Sequence, residues 1–294
     1  MKTSNQCPAV GLGYRAVIDN WTRGHLDRFD MLEITVDHCI HGGRAVKSAI
    51  YDLVGCIPLT AHGIGLSIGT DVPLDLDYLD TVAAVIERLE APTYSEHLAF
   101  TRVPGRDLAN LLPLPKTDAV AELVIAKVRT VQSRVPVPFL LENISYVFEW
   151  PDSNMSDAEF LNLICSETGA RLLLDIENLY LNSSNHGFDP YAFLDALPGG
   201  LVQEVHMAGG VTVHQGSSGR PFFADSHSHP IPGGAFDLLR HMLARQSPHC
   251  IVLERDDRFD AVEEILDDIG RIRACVADAR SEETHDGPAV GSTV

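Results

Sequence analysis

A single (β/α)8 barrel of the α/β class is the fold this sequence predicts, and three observations carry the prediction. Short β-branched or aliphatic runs alternate with longer stretches of helical periodicity, as parallel strands joined by crossover helices do. Eight such runs can be counted, the number that closes a barrel. The chain of 294 residues suits one large barrel, and neither an internal repeat nor a Pro/Ser-rich linker divides it.

The runs in order are Val10–Tyr14, Met31–Val36, Pro58–Gly63, Thr93–His97, Pro138–Glu142, Arg171–Asp175, Val202–His206 and Cys250–Glu254. The later ones read PFLLE, RLLLD, VQEVH and CIVLE, the near-continuous apolar texture of strands buried on both faces. Between them, Leu76, Leu79, Val82, Ala83, Ile86 and Leu89 keep helical spacing, as do Val120, Leu123, Val124, Val128 and Val131. Ser156 with Glu159 three residues on forms a capping box ahead of Phe160, Leu161 and Leu163. A last helix carries Val262, Ile265, Leu266, Ile269 and Ile272 on one stripe. The barrel domain is therefore expected over residues 1–280, followed by a polar, aperiodic tail at 281–294 that is expected to be disordered. The stretch from Ala208 to Gly234 is too long and too rich in Gly and Ser for an ordinary connection, and is expected to form a lid or site-forming loop.

Forty-one acidic against 22 basic residues give a formal charge of -19, the wrong sign for a phosphate backbone, so no nucleic-acid partner is expected. No window approaches the roughly 18 consecutive apolar residues of a membrane span, and the start lacks an apolar signal core, which reads as a cytoplasmic protein with no membrane association. Six cysteines without a CxxC suggest neither a disulfide framework nor a thiolate zinc site. The thirteen histidines call for an explanation.

Six strands in succession end in His or a carboxylate: His62, His97, Glu142, Asp175, His206 and Glu254, with Asp225 and His227 in the loop after the seventh. In a barrel all strand C-termini open on one face, so these eight side chains are expected at one mouth. A single His or Asp at a strand end is more often a helix cap or a hydrogen-bonded core residue than a ligand. Burying so many titratable groups together is costly unless something positive neutralises them, and metal ions would do so. Four histidines and four carboxylates offer roughly eight to twelve ligating atoms, which points to more than one ion. With no Cys among them, iron, manganese and zinc all remain open.

Asn178 and His229 are further candidates for coordination, by their spacing from Asp175 and His227, while Glu96 and Asn143 could orient ligands. Glu33, inside the second strand, could point into the barrel as a buried acid. Arg15 and Arg255 could hold a substrate carboxylate or form structural ion pairs, and His38 and Cys39 could face the pocket. The glycines of GLGYR and HGIGLSIG lack a complete phosphate-loop spacing and read as tight turns.

Taken together, GLGYR, FDMLEITVDH, HGIGLSIG, YSEHLAF, NLLPLP, LLENIS, LLLDIENLYLNSSNHGFDP, EVHMAGG, DSHSHPIP and VLERD resemble the multinuclear non-heme iron-dependent oxidative enzymes, formerly the domain-of-unknown-function 692 family with a xylose-isomerase-like barrel. The similarity spans nearly the whole chain, with one departure: Ser228 stands where the family has an acid between two histidines. The resemblance implies a cluster of two or three irons, mixed Fe(II)/Fe(III), held by the positions matching His62, His97, Glu142, Asp175, His206, Asp225, His227 and Glu254. It implies dioxygen as co-substrate and a ribosomally made precursor peptide as substrate, with cysteine reworked into oxazolone and thioamide groups or relieved of its β-carbon. It also implies a separate partner protein that recognises the precursor's leader, consistent with a chain in which the barrel leaves only short ends. A zinc-dependent phosphodiesterase like endonuclease IV, and a non-catalytic metal-binding protein, are the competing readings; the charge and the near-complete ligand set weigh against them.

Overall fold

The computed structural model describes residues 7–215 and 220–285. Eight parallel strands close into a barrel in chain order: Ala9–Gly13, Leu32–Thr35, Leu59–Gly63, Tyr94–His97, Phe139–Glu142, Arg171–Asp175, Val202–Met207 and Cys250–Leu253. All eight expected strands are present, each displaced by a residue or two at most. The seventh runs one residue past His206, and the eighth stops one short of Glu254, whose N–H still donates to the Met207 carbonyl at 2.9 Å.

Alternation along the strands sorts the side chains. In the second strand Leu32 and Ile34 join the apolar layer under the outer helices, while Glu33 faces His206 inside the barrel. Leu79, Val82, Ile86 and Leu89 of helix Leu76–Leu89 and Val124, Val128 and Val131 of helix Asp118–Arg134 bury the other side of that layer. Each fully buried Leu or Val contributes about 1.5–3 kcal/mol. The capping box at Ser156 forms as expected: the Glu159 N–H donates to Ser156 Oγ at 3.3 Å and the Ser156 N–H to Glu159 Oε2 at 2.8 Å.

Two antiparallel hairpins interrupt the plain barrel. The first, Phe100–Val103 with Arg106–Leu112, turns at Pro104-Gly105, where Gly105 takes φ +75°; it is not among the expected elements, although Pro-Gly is a turn signal. The second, Val211–Gln215 with Arg220–Ala224, lies in the stretch read as a lid or site-forming loop, with positions 216–219 outside the described residues. The last helix runs Val262–His285, so five residues assigned to the tail are helical, and 286–294 lie outside the described residues. Among the described residues no helix is long and apolar enough to cross a membrane.

Two strand glycines, Gly11 in the middle of the first strand and Gly63 at the end of the third, are close-packing positions. A Cβ on Gly11 would collide with Met31 Sδ, and one on Gly63 would lie 2.6 Å from both Glu96 Oε1 and the Tyr94 hydroxyl.

Candidate metal centre

Strand register places the inner residues. His97 is paired with Glu142 on the neighbouring strand and Asp175 with His206, so each pair stands side by side at the mouth. Glu142 is central: its Oε2 lies 3.5 Å from His62 Nε2 and 3.2 Å from His97 Nε2, and its Oε1 lies 3.4 Å from His206 Nδ1. Glu254 Oε2 is 3.2 Å from the same His206 Nδ1.

Each histidine has one ring nitrogen tied to the scaffold and the other turned to the cluster. His62 Nδ1 pairs with Ser95 Oγ at 2.9 Å, and His97 Nδ1 donates to the Gly63 carbonyl at 3.2 Å. His206 Nε2 donates to Glu33 Oε2 at 2.9 Å, and His227 Nδ1 to Asp256 Oδ2 at 3.1 Å. Such second contacts fix which nitrogen is bare and where it points.

Ligating atoms gather in four sets, the atoms of each within 4.8 Å of one another: three that share residues, namely Glu33, His62 and His206; His62, His97 and Glu142; and Glu142, Asp175, His206 and Glu254; and a separate one of Glu177, Asp225 and His227. All eight residues expected at the mouth are in them. Several of their atoms are buried with no hydrogen-bond partner among the described residues: Glu142 Oε2, Asp175 Oδ2, His206 Nδ1, His227 Nε2 and both oxygens of Glu177, together with Asn178 Oδ1. Leaving such atoms unpaired costs about 1–3 kcal/mol each, more where charged, and cations would satisfy them.

Asp175 does two jobs. Its Oδ1 caps helix Ile176–His186 by accepting from the Asn178 N–H at 2.7 Å, so the ordinary helix-cap reading holds for one oxygen while the other stays bare. Asn143 clamps the Asp175 backbone, donating to its carbonyl at 2.8 Å and accepting from its N–H at 2.9 Å. Asn178 donates to the Asn143 carbonyl at 3.1 Å, which leaves its Oδ1 bare. Ser145 donates to Asp225 Oδ2 at 3.0 Å. His227 takes φ +45°, an uncommon backbone for His that costs on the order of 1–3 kcal/mol and persists where the surroundings enforce it.

Charge follows from this packing. Burial would raise the Glu142 carboxyl, but His97, His62 and His206 outweigh it and hold it down at about 2. Glu254 is likewise held well below its ordinary value, against burial, by His206 and His227. Burial would lower His206 and His227; Glu33, Glu254 and Glu142 lift the first well above the usual imidazole range, and Glu254, Asp225 and Asp256 lift the second. Burial, then Glu142, pushes Asp175 far up, and burial lowers His97.

Not every sequence candidate joins. His229 sits outside the gathered sets, its Nδ1 paired with Ser228 Oγ at 2.7 Å, and that serine, in the place of the acid, is buried against Ser226 Oγ. Glu96 accepts from the Leu66 N–H, the Tyr94 hydroxyl and the backbone N–H of His97, and it does not anchor the His97 ring. His38 is exposed and Cys39 buried in the apolar core. Arg15 reaches Glu254 at 3.1 Å and Asp256 at 2.5 Å, and the fully buried Arg255 reaches Asp268 at 3.3 Å and Glu264 at 3.6 Å, so both form structural ion pairs. Besides Asp268, which pairs with Arg255, two buried acids escaped the sequence reading: Glu177, and Glu204, whose Oε1 accepts from Thr60 Oγ1 and Cys250 Sγ, each at 3.3 Å, inside the barrel. Only the alternation of the seventh strand, which puts Glu204 on the face of His206, could have flagged the second.

Over residues 9–277 the chain matches the family described as RiPP precursor modification enzyme MbnB/TglH/ChrH, where RiPP denotes a ribosomally synthesised and post-translationally modified peptide. A UPF0276 protein of Caulobacter vibrioides (strain NA1000 / CB15N) is 33% identical over 261 residues, covering 89% of this chain and 90% of that one. A UPF0276 protein of Rhizorhabdus wittichii is 34% identical over 240 residues, covering 82% and 84%. Solved structures are similar in fold alone. An L-ribulose 3-epimerase has a TM-score of 0.60 at 14% identity, covering 97% of this chain and 99% of that one. Endonuclease IV from Thermus thermophilus has a TM-score of 0.55 at 16% identity, covering 92% and 100%.

Proposed function

The chain belongs to the RiPP precursor modification enzyme family MbnB/TglH/ChrH, and from that premise we propose that its barrel mouth holds two or three iron ions and uses dioxygen to oxidise a residue of a precursor peptide, most directly a cysteine. The observation that carries this reading is the orientation of the four histidines, each with one nitrogen anchored and the other aimed among unpaired carboxylate oxygens. The residues fit the group: imidazole and carboxylate donors without thiolate suit iron, and the unpaired atoms are those that ions would take up.

In this reading His62, His97 and Glu142 hold one ion, Glu142, Asp175, His206 and Glu254 a second, and Asp225 and His227 an outer third, with Asn178 within the same helix turn as Asp175. When bound, the ions supply Lewis acidity and redox equivalents for dioxygen chemistry on the peptide. The chain's own part is to prepare the site. Arg15 keeps the Glu254 carboxylate in place, Ser145 keeps Asp225, and Asp256 keeps His227, so the ligands need little reordering when ions and peptide arrive. Strands Val211–Gln215 and Arg220–Ala224 lead into the loop that carries Asp225 and His227, where the Gly209 carbonyl accepts from both the Ser228 and His229 N–H groups at 3.0 Å; closed over a peptide, that loop would exclude water. Recognition of the precursor's leader is assigned, on the family resemblance, to a separate partner protein.

The test is a cysteine-containing precursor incubated with the iron-loaded protein and its partner, first under argon and then in air. A mass change that appears only in air is expected. A mass change under strict anaerobiosis, or stoichiometric zinc in protein purified anaerobically, would overturn the oxidative reading.

A further inference from the structure

We propose that Glu177 is a ligand of the outer ion, adding a buried carboxylate to Asp225 and His227. The inference rests on the reading that the mouth holds metal ions and adds to it a carboxylate to which the sequence reading gave no role. Glu177 is fully buried, in the first turn of helix Ile176–His186, and neither of its oxygens has a hydrogen-bond partner among the described residues. A protonated acid kept neutral by burial would donate to an acceptor, and an ionised one would sit among N–H donors; Glu177 has neither arrangement. What it does have is one oxygen gathered with a carboxylate oxygen of Asp225 and a ring nitrogen of His227, all within 4.8 Å of one another.

The carboxylate is held in this pose by backbone. A Cβ on Gly210 would stand 2.7 Å from Glu177 Oε1 and 2.5 Å from the Ala224 carbonyl, so the chain entering strand Val211–Gln215 passes close over the acid only because residue 210 has no side chain. Arg255, a buried cation whose charge reaches it, donates from Nη2 to Asp268 at 3.3 Å and lies 3.6 Å from Glu264, while its Nε and Nη1 make no hydrogen bond among the described residues. His227 Nε2, 2.7 Å from Asp225 Oδ1 and otherwise unpartnered, is the nitrogen left bare when Nδ1 donates to Asp256. Two carboxylates and one imidazole make an oxygen-rich, doubly anionic set, suited to Fe(II) or Mn(II) rather than to soft ions. Because Asp225 and His227 lie on the loop and Glu177 on the helix, an ion shared among them would also pin the loop to the barrel.

Anaerobic titration of the metal-free full-length protein with Fe(II), followed by desalting, elemental analysis and competition with a chelator, reads the outer position without any peptide. The unsubstituted protein should retain three equivalents; Glu177→Gln should retain two and hold the third at least tenfold more weakly, as should the comparator Asp225→Asn. Glu177→Asp, which draws the carboxylate back by one methylene, should weaken the third ion similarly and serves if the amide fails to fold. Three equivalents at unchanged affinity in a folded Glu177 variant would overturn the proposal, and so would only two in the unsubstituted protein. Three ions bound beside an unmodified precursor in air would defeat the proposed reaction and leave this ligand standing.

Discussion

Along the inner wall of the mouth, His62, His97, Glu142, His206 and Glu254 project from strands or strand ends, with side-chain exposures between 0% and 12%. At the outer rim, Asp225 and His227 sit on a loop behind a hairpin, 29% and 15% exposed, with His227 in a left-handed backbone and Asp225 steadied by one serine. The inner set is positioned by barrel hydrogen bonding that exists for the fold's sake. The outer set is positioned by contacts that exist for the site's sake, and it should be the easier of the two to empty.

The largest effect should come from the residue the inner sets share. Glu142→Ala removes the carboxylate that faces His62, His97 and His206 at once, so elemental analysis should find bound iron falling by about two of three equivalents, and peptide turnover should drop by a factor on the order of 1,000 or more. The barrel should remain folded, because the leucines beside Glu142 on its strand stay buried. Full metal content in this variant would dissolve the distinction between inner and outer positions. His227→Ala should cost only the outer equivalent and leave two, a smaller and selective loss that the same analysis resolves.

These differences also explain what the sequence made legible. The barrel and the inner residues could be read because strands have a fixed period and end on one face, so a His or Glu closing PFLLE or VQEVH has one destination. Asp225 and His227 were legible through their motif alone, since no periodicity governs a loop. Glu177 was not, because the first turn of a helix is where acids commonly serve the helix dipole, and burial under Gly210 is a tertiary fact. His229 is the opposite case: its spacing from His227 suits a shared ion, yet its Nδ1 pairs with Ser228 and it joins none of the gathered sets. The Phe100–Leu112 hairpin was hidden by its polar strands, RDLANLL being mostly exposed.

Acidity offers a finer comparison, between stripped and loaded protein. Burial raises Glu177 and Glu96 to about 8 and Glu204 to about 7, from an ordinary 4.5. Between those values the folded metal-free protein binds more protons than the unfolded chain, so stability must fall as pH rises through the window. His206, lifted above its ordinary 6.5 by Glu33, Glu254 and Glu142 despite burial, adds the same sign: its contribution is present below 6.5 and lost as pH rises through the folded value. Glu142 and Glu254 are depressed, so their contribution is lost only in acid, below 4.5. Melting of chelator-stripped protein at pH 5.5 and 8.5 should show a loss on the order of 1 kcal/mol or more per raised acid. Iron-loaded protein should show a shallower loss, because ions displace the protons of Glu177 and His206 at the mouth while those of Glu96 and Glu204 stay. Equal slopes would mean that the ions do not replace protons there.

The smallest effect should be found away from the mouth, and it asks whether the scaffold and the site can be perturbed separately. Helix Asp157–Thr168 begins with a reciprocal cap in which Ser156 Oγ accepts from the Glu159 N–H and Glu159 Oε2 accepts from the Ser156 N–H. Ser156→Ala deletes half of that exchange and exposes one amide to less favourable solvation, at a cost of about 1 kcal/mol. For a chain of this size that corresponds to a melting point lower by roughly 2–4 °C. None of the gathered ligating residues touches this cap, so iron content and the affinity of the outer position should be unchanged while the melting point moves. If Ser156→Ala instead released the outer ion, the rim would be coupled to the global stability of the barrel, and its looser grip could no longer be ascribed to Ser145, Asp256 and the local backbone at His227.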